Sequence, residues 1–119
     1  MYSSHMTTIP LYQAKAALFR TLGHPVRIRI LELLQEGPRA VHELRADMGI
    51  EIEASNLSQQ LAVLRRAGLV ISSRHGSAVL YTLATPDVAD LLKSARLILR
   101  SMIAGQDELL AALQSTVDA

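Results

Sequence analysis

The sequence has no cysteine among its 119 residues. That excludes a disulfide scaffold, a thiolate metal site and a cysteine nucleophile. It is also the usage expected of a cytoplasmic protein. Net charge of one sign is almost absent, since 12 basic side chains stand against 11 acidic ones for a formal charge of +1. No uniform field therefore steers a partner. Lysine is scarce: Lys15 and Lys93 are the two, and the other basic residues are arginine. Arginine suits bidentate contacts to phosphates and bases, and it equally suits surface ion pairs.

No run approaches the roughly 18 consecutive apolar residues of a membrane span, so no membrane partner is expected. The first residues, "MYSSHMTTIP", lack a charged region followed by an apolar stretch, so no secretory signal is predicted. "SSHM" looks like a cloning remnant, and residues 1–9 are expected to be a disordered or tag-derived terminus. One domain is expected over residues 10–119. Catalytic patterns are missing as well: there is no Gly-rich phosphate loop, no HExxH and no nucleophile with a plausible base. Glu51 and Glu53 read more simply as solvated charges at a loop and helix start than as a catalytic pair. Neither an enzyme nor a cofactor is expected.

What is present is apolar residue at regular spacing. Half of the residues are hydrophobic, yet so short a chain keeps a high surface-to-volume ratio. Part of that apolar surface is therefore expected to lie between chains. Leu11, Ala14, Leu18, Phe19 and Leu22 recur at helical spacing. "GHP" closes that helix, with His24 at the junction and Pro25 in the first turn of the next. Val26 to Leu34 forms a strongly apolar second helix, stopped by "EGP". "RAVHELRADMG" predicts a short third helix with Val41, Leu44 and Met48 on one side and Gly49 as its C-terminal cap.

An acidic "IEIE" leads into "ASNLSQQLAVLRRAGLV" (54–70). Leu57, Leu61 and Leu64 share one face of this fourth helix, which sends Ser55, Ser58, Gln59, Ala62 and Arg66 the other way, with Asn56 and Gln60 on the flanks. "LVISSRHGSAVLYTL" then predicts a β-hairpin, turning over Arg74–Ser77 about Gly76. Thr85 as cap, Pro86 at the first position and Asp87 in the first turn start a last helix running to about Leu113, with Gly105 a weak point. The predicted order is α-α-α-α-β-β-α: mainly α with a small β-hairpin.

Two short helices, a connection, a helix with a polar outer face and a hairpin make a winged helix-turn-helix, whose second helix of the pair enters the DNA major groove. Asn and Gln bond adenine bidentately, and Ser serves either base edge. Neutral groups suit readout, because charge adds affinity without sequence information. Ser55, Asn56, Ser58, Gln59 and Gln60 are the candidate base readers. Arg65, Arg66, Arg74 and His75 are the candidate phosphate or minor-groove contacts.

"LFRTLGHPVRIRILELL", "SNLSQQLAVLRRAGLV" and "RHGSAVLYTL" together resemble the ArsR/SmtB family of bacterial transcriptional repressors, over about residues 11–115. The likeness includes a wing of the R-x-G-x-x-x-x-Y kind, here Arg74, Gly76 and Tyr81. It implies a repressor that binds a palindromic operator in double-stranded DNA as a homodimer joined through the first and last helices. Leu11, Leu18, Leu91, Ala95, Ile98, Met102 and Leu109 are the interface positions. Ser58 and Gln59 fall on the family's reading positions, and Gln60 replaces a frequent His. The connection from Gly49 to Ser58, with Glu51 and Glu53, is about two residues longer than usual, which bears on docking.

Family members often hold metal through a Cys-Val-Cys-type run on the third helix. Here that run is "AVHEL", with Ala40 and His42 at those positions, and one His makes no zinc site. A second family site uses Asp and His pairs on the last helix; Asp87 and Asp90 are there without a His. No metal site is expected. The effector stays open between a small organic ligand lying between the long helices, a metal at a new site, and none. A second reading makes the winged helix an interaction module that docks a partner on its long C-terminal helix.

Overall fold

The computed structural model describes residues 9–118, and the elements follow the predicted order. The expected tag-derived segment lies, but for Ile9, outside the described residues. Helix α1 spans Leu11–Leu22 and α2 spans Pro25–Leu34. Between them His24 caps α2, its Nδ1 accepting the Val26 amide hydrogen at 3.2 Å. Pro25 follows at the first helical position, where its missing N–H costs nothing. The junction role read for His24 is what the structure shows.

Helix α3 spans Val41–Asp47, shorter than expected. Arg39 lies outside it, because its backbone pairs with the hairpin instead. Its N–H donates to the Tyr81 carbonyl at 3.1 Å, and the Tyr81 N–H donates back at 2.8 Å. The Glu43 carboxylate turns back to accept the Ala40 amide hydrogen at 2.9 Å, which satisfies one orphan donor at the helix start. Past the helix end Gly49 adopts φ +80°, the left-handed geometry that a C-terminal cap needs.

Helix α4 spans Ala54–Arg66. Strands β1 (Val70–His75) and β2 (Ala78–Leu83) pair antiparallel, with His75 opposite Ala78. The loop is thus only Gly76-Ser77, tighter than the four residues expected. Gly76 at φ +66° takes the first central position of a II′-like turn, which glycine fills without strain. Helix α5 spans Pro86–Asp118. Thr85 Oγ1 accepts the Asp87 amide hydrogen at 3.3 Å, as the cap reading required. The helix runs unbroken through Gly105 for 33 residues, about 50 Å at 1.5 Å per residue.

One core holds these elements. Ile30 and Leu31 of α2, Leu44 of α3 and Leu57, Leu61 and Leu64 of α4 are wholly buried, joined by Val70 of β1 and Val88 of α5. Helix α5 contributes only its first two turns: beyond Leu91 and Leu92, every residue from Lys93 to Ser115 is exposed. Helices α2, α3 and α4 packed on one core, with the hairpin against them, form a winged helix-turn-helix. The leucine row of α4 is its central tie. Leu61→Ala is expected to cost about 2–5 kcal/mol through lost burial and a residual cavity. Thermal or urea unfolding checks this, and a loss under about 1 kcal/mol would mean that the row is not the tie.

Candidate nucleic-acid interface

Helix α4 is split by side as its sequence pattern predicts. Leu57, Leu61 and Leu64 are 0% exposed, while Ser55, Asn56, Ser58, Gln59, Arg65 and Arg66 are all exposed and Gln60 is half-buried. The outer face is therefore hydroxyl and amide over residues 55–60, with Ala62, expected on the same face, half-buried and the arginine pair at its exit. The connection from α3 is pinned rather than loose. Ile52 is buried, and Arg45 Nε donates to its carbonyl at 2.7 Å. Arg29 reaches the carbonyls of Asp47 and Met48, each at 3.4 Å. Glu51 and Glu53 stay exposed, and Glu53 makes no side-chain cap to α4, although its carbonyl accepts the Leu57 amide hydrogen at 3.0 Å.

The hairpin tip lies on the same side as the start of α4. A groove of about 500 Å³ is lined by Val41, His42 and Arg45 of α3, Ala54 of α4, and Ser77, Ala78 and Val79 of the hairpin. Arg74 and His75 are exposed at that tip, with His75 Nε2 3.0 Å from Ser73 Oγ.

The arginines divide into those whose side chains are bound within the protomer and those whose side chains are not, and Arg65, Arg66 and Arg74, the three expected to contact DNA, belong to the second set. Arg27, Arg29, Arg39 and Arg45 are spent inside the protomer. Arg39 alone binds the Leu33 carbonyl at 3.2 Å, Glu36 at 3.2 Å and Asp47. The side chains of Arg65, Arg66 and Arg74 make no hydrogen bond or ion pair among the described residues, so their guanidinium groups are free for a ligand, as are those of Arg20, Arg96 and Arg100. Arg27 is a residue that sequence reasoning missed. Its Nε donates to Gln60 Oε1 at 2.8 Å, and Gln60 Nε2 donates to Asn56 Oδ1 at 3.3 Å. Of the five candidate readers, Gln60 is thus already tied to a neighbouring helix, and Asn56 to Gln60 within α4. Nothing local to "PVRIRIL" marks which of its arginines faces α4.

Of the positions expected at a dimer interface, Leu11, Ala95, Ile98, Met102 and Leu109 are exposed on the protomer, whereas Leu18 and Leu91 are half-buried against its core. His24, His42 and His75 stand apart, and no group of three His, Asp or Glu residues gathers as metal ligands would among the described residues. His5 lies outside them. No helix of the described residues is long and apolar enough to cross a membrane.

Comparison with known proteins agrees with this geometry. The model of the bacterial regulatory protein arsR family matches residues 24–72, from the cap of α2 into β1. An uncharacterized HTH-type transcriptional regulator of Mycobacterium tuberculosis, Rv0081, is 50% identical over 111 residues, covering 92% of this chain and 96% of that one. Its crystal structure superposes with a TM-score of 0.75 at 53% identity, over 83% of this chain and 98% of that. The homodimeric winged helix-turn-helix DNA-binding domain Mb0332 of Mycobacterium bovis superposes at 0.67 with 30% identity, over 76% of this chain and 82% of that. The transcriptional repressor BigR of Xylella fastidiosa does so at 0.66 with 37% identity, over 73% and 87%. On fold, motif and near-complete coverage by a half-identical relative, the chain belongs to the ArsR family of bacterial regulatory proteins.

Proposed function

We propose that the chain is a sequence-specific DNA-binding transcriptional repressor that acts as a homodimer on a palindromic operator. One observation carries the reading. Helix α4 is held by a wholly buried leucine row and presents an uncharged hydroxyl and amide face between free arginines at its exit and on the hairpin. Ser55, Ser58 and Gln59 read base edges, with Asn56 and Gln60 at the flank. Arg65, Arg66, Arg74 and His75 grip phosphates or, at the wing, the minor groove.

The dimer is the second half of the proposal. Ile98, Leu99, Met102, Ile103, Leu109, Leu110 and Leu113 of α5, and Leu11, Tyr12 and Phe19 of α1, are all more than half exposed. A monomer rarely leaves so continuous an apolar face in water. A two-fold, self-complementary interface covers it with the same face of a second copy. The homodimeric neighbour and the regulators named among the relatives favour that occupant over a foreign partner. The family is one of regulators, and the proposal assigns no catalytic step.

Binding of the purified protein to a fragment of its own promoter, titrated with salt against random DNA, tests the whole reading; equal affinity for both sequences would contradict it. Gln59→Ala should cost about 1–3 kcal/mol and relax preference at the bases it faces. An unchanged footprint and affinity would remove Gln59 from the readers. Arg74→Ala should weaken binding to every sequence and flatten the salt dependence by about one unit; an unaltered slope would take Arg74 off the phosphates. Ile98→Arg leaves the protomer core untouched, since Ile98 is 60% exposed. It should nonetheless give a folded monomer in sedimentation, and a dimer of unchanged stability would place the interface elsewhere.

A further inference from the structure

The Arg27–Gln60–Asn56 chain has a chemical direction, and that direction reaches the DNA-facing surface. Arginine Nε carries a hydrogen and has no acceptor capacity, so the Gln60 atom 2.8 Å from it is the carbonyl oxygen. The Gln60 amide is thereby oriented, and its NH₂ points the other way. That NH₂ can only donate, so the Asn56 atom 3.3 Å from it is the carbonyl Oδ1. Asn56 lies one turn before Gln60 on the same side of α4, the i, i+4 spacing at which side chains meet. Its remaining group, the Nδ2 amino, makes no hydrogen bond among the described residues, and the residue is exposed. The anchor itself is held at both ends, because Arg27 Nη1 also donates to the Thr21 carbonyl at the end of α1 at 3.2 Å.

We infer that Arg27, from outside the recognition helix, is a positioning residue that sets the polarity of the Gln60 and Asn56 amides, so that α4 offers the DNA a donor at position 56. The inference rests on the DNA-reading role of α4 proposed above. It makes a statement about bases that the amide side chains alone do not. A free asparagine pairs with adenine through both its groups, accepting from N6 and donating to N7. An asparagine whose carbonyl is engaged by Gln60 presents chiefly a donor. It favours a base with a major-groove acceptor, namely guanine O6 or N7, adenine N7 or thymine O4. It discriminates against cytosine, which offers only the N4 amino group there.

The test is a base-preference profile of the intact protein, measured by competition among operators with each position substituted in turn, for wild type, Asn56→Ala, Arg27→Met, Arg27→Lys and Gln60→Glu. Asn56→Ala identifies the position that Asn56 reads. Arg27→Met keeps the stem but no donor, so both amides are released to flip. Discrimination against cytosine at that position should fall by roughly tenfold, the scale of one good base contact, while other positions and the salt slope hold. Arg27→Lys, which restores a donor, should recover part of it. Gln60→Glu is the sharper variant and keeps the test alive if Arg27→Met fails to fold. Its acceptor-only carboxylate draws in the Asn56 NH₂ and turns Oδ1 outward, so preference should swing toward cytosine or adenine; its added charge weakens all sequences alike. An Arg27→Met profile superimposable on wild type, or a uniform loss with a salt slope lower by about one, would overturn the inference; the second result makes Arg27 a phosphate ligand. An unmoved preference in Gln60→Glu overturns it too. Wild type without any base preference would instead overturn the DNA-reading role itself, a result distinct from the others.

Discussion

The row Leu57, Leu61 and Leu64 fixes how α4 is rotated about its own axis, and the rest of the interface follows from that rotation. Each of the three is wholly buried against α2 and α3. Full burial of a leucine contributes about 1.5–3 kcal/mol, so turning the helix by one residue would expose several kcal/mol of apolar surface. Ser55, Ser58 and Gln59 need no partner within the protomer to point outward. They are outward because the leucines are inward. The polar face is the by-product of an apolar constraint, which lets its chemistry vary without disturbing the fold.

The same separation explains why a chain with a formal charge of +1 can serve as a DNA-binding protein. Net charge counts arginines that are already occupied. Arg39 ties the end of α2 to α3 through Glu36 and Asp47, Arg29 holds the C-terminal end of α3, and Arg45 pins the acidic lead-in to α4 at Ile52. The exposed Glu51 and Glu53 are therefore held on a braced connection. Arg65 and Arg66 at the exit of α4 and Arg74 on the wing keep free guanidinium groups, as do Arg20 of α1 and Arg96 and Arg100 of α5; in the proposed function the first three add grip without sequence information. Local placement, and not total charge, makes the surface suitable for a polyanion.

Much of this was legible in the sequence. The element order, the His24 junction, the Thr85 cap, the Gly49 stop and the split faces of α4 are all signals confined to a few neighbouring residues, and each appears as read. What escaped is long-range. Arg39 looks like the first residue of a helix, yet its backbone is claimed by Tyr81 from the hairpin, a pairing with no local trace. Gln60 looks like one more reader, yet Arg27 from another helix holds its carbonyl. The hairpin turn is narrower than its polar residues suggest, because Ser72, Ser73 and Arg74 all lie in paired strand. The run of α5 past Gly105, by contrast, was legible as read: the apolar spacing continues to Leu113, and a glycine in a helix costs only about 1 kcal/mol.

Helix α5 joins the two halves of the account. Its first turns complete the protomer core through Val88, Leu91 and Leu92, and the remainder offers an apolar face that the protomer cannot cover. In the proposed dimer a second copy covers it and sets the separation of two α4 helices, and that separation turns a weak single contact into recognition of a site. Hydroxyl-radical footprinting of the protein on its own promoter measures this most directly. The account predicts two protected patches related by a dyad, their centres about 10 base pairs apart or a multiple of that, on one face of the duplex. Protection of a single isolated patch, or none above that on random DNA, would contradict it.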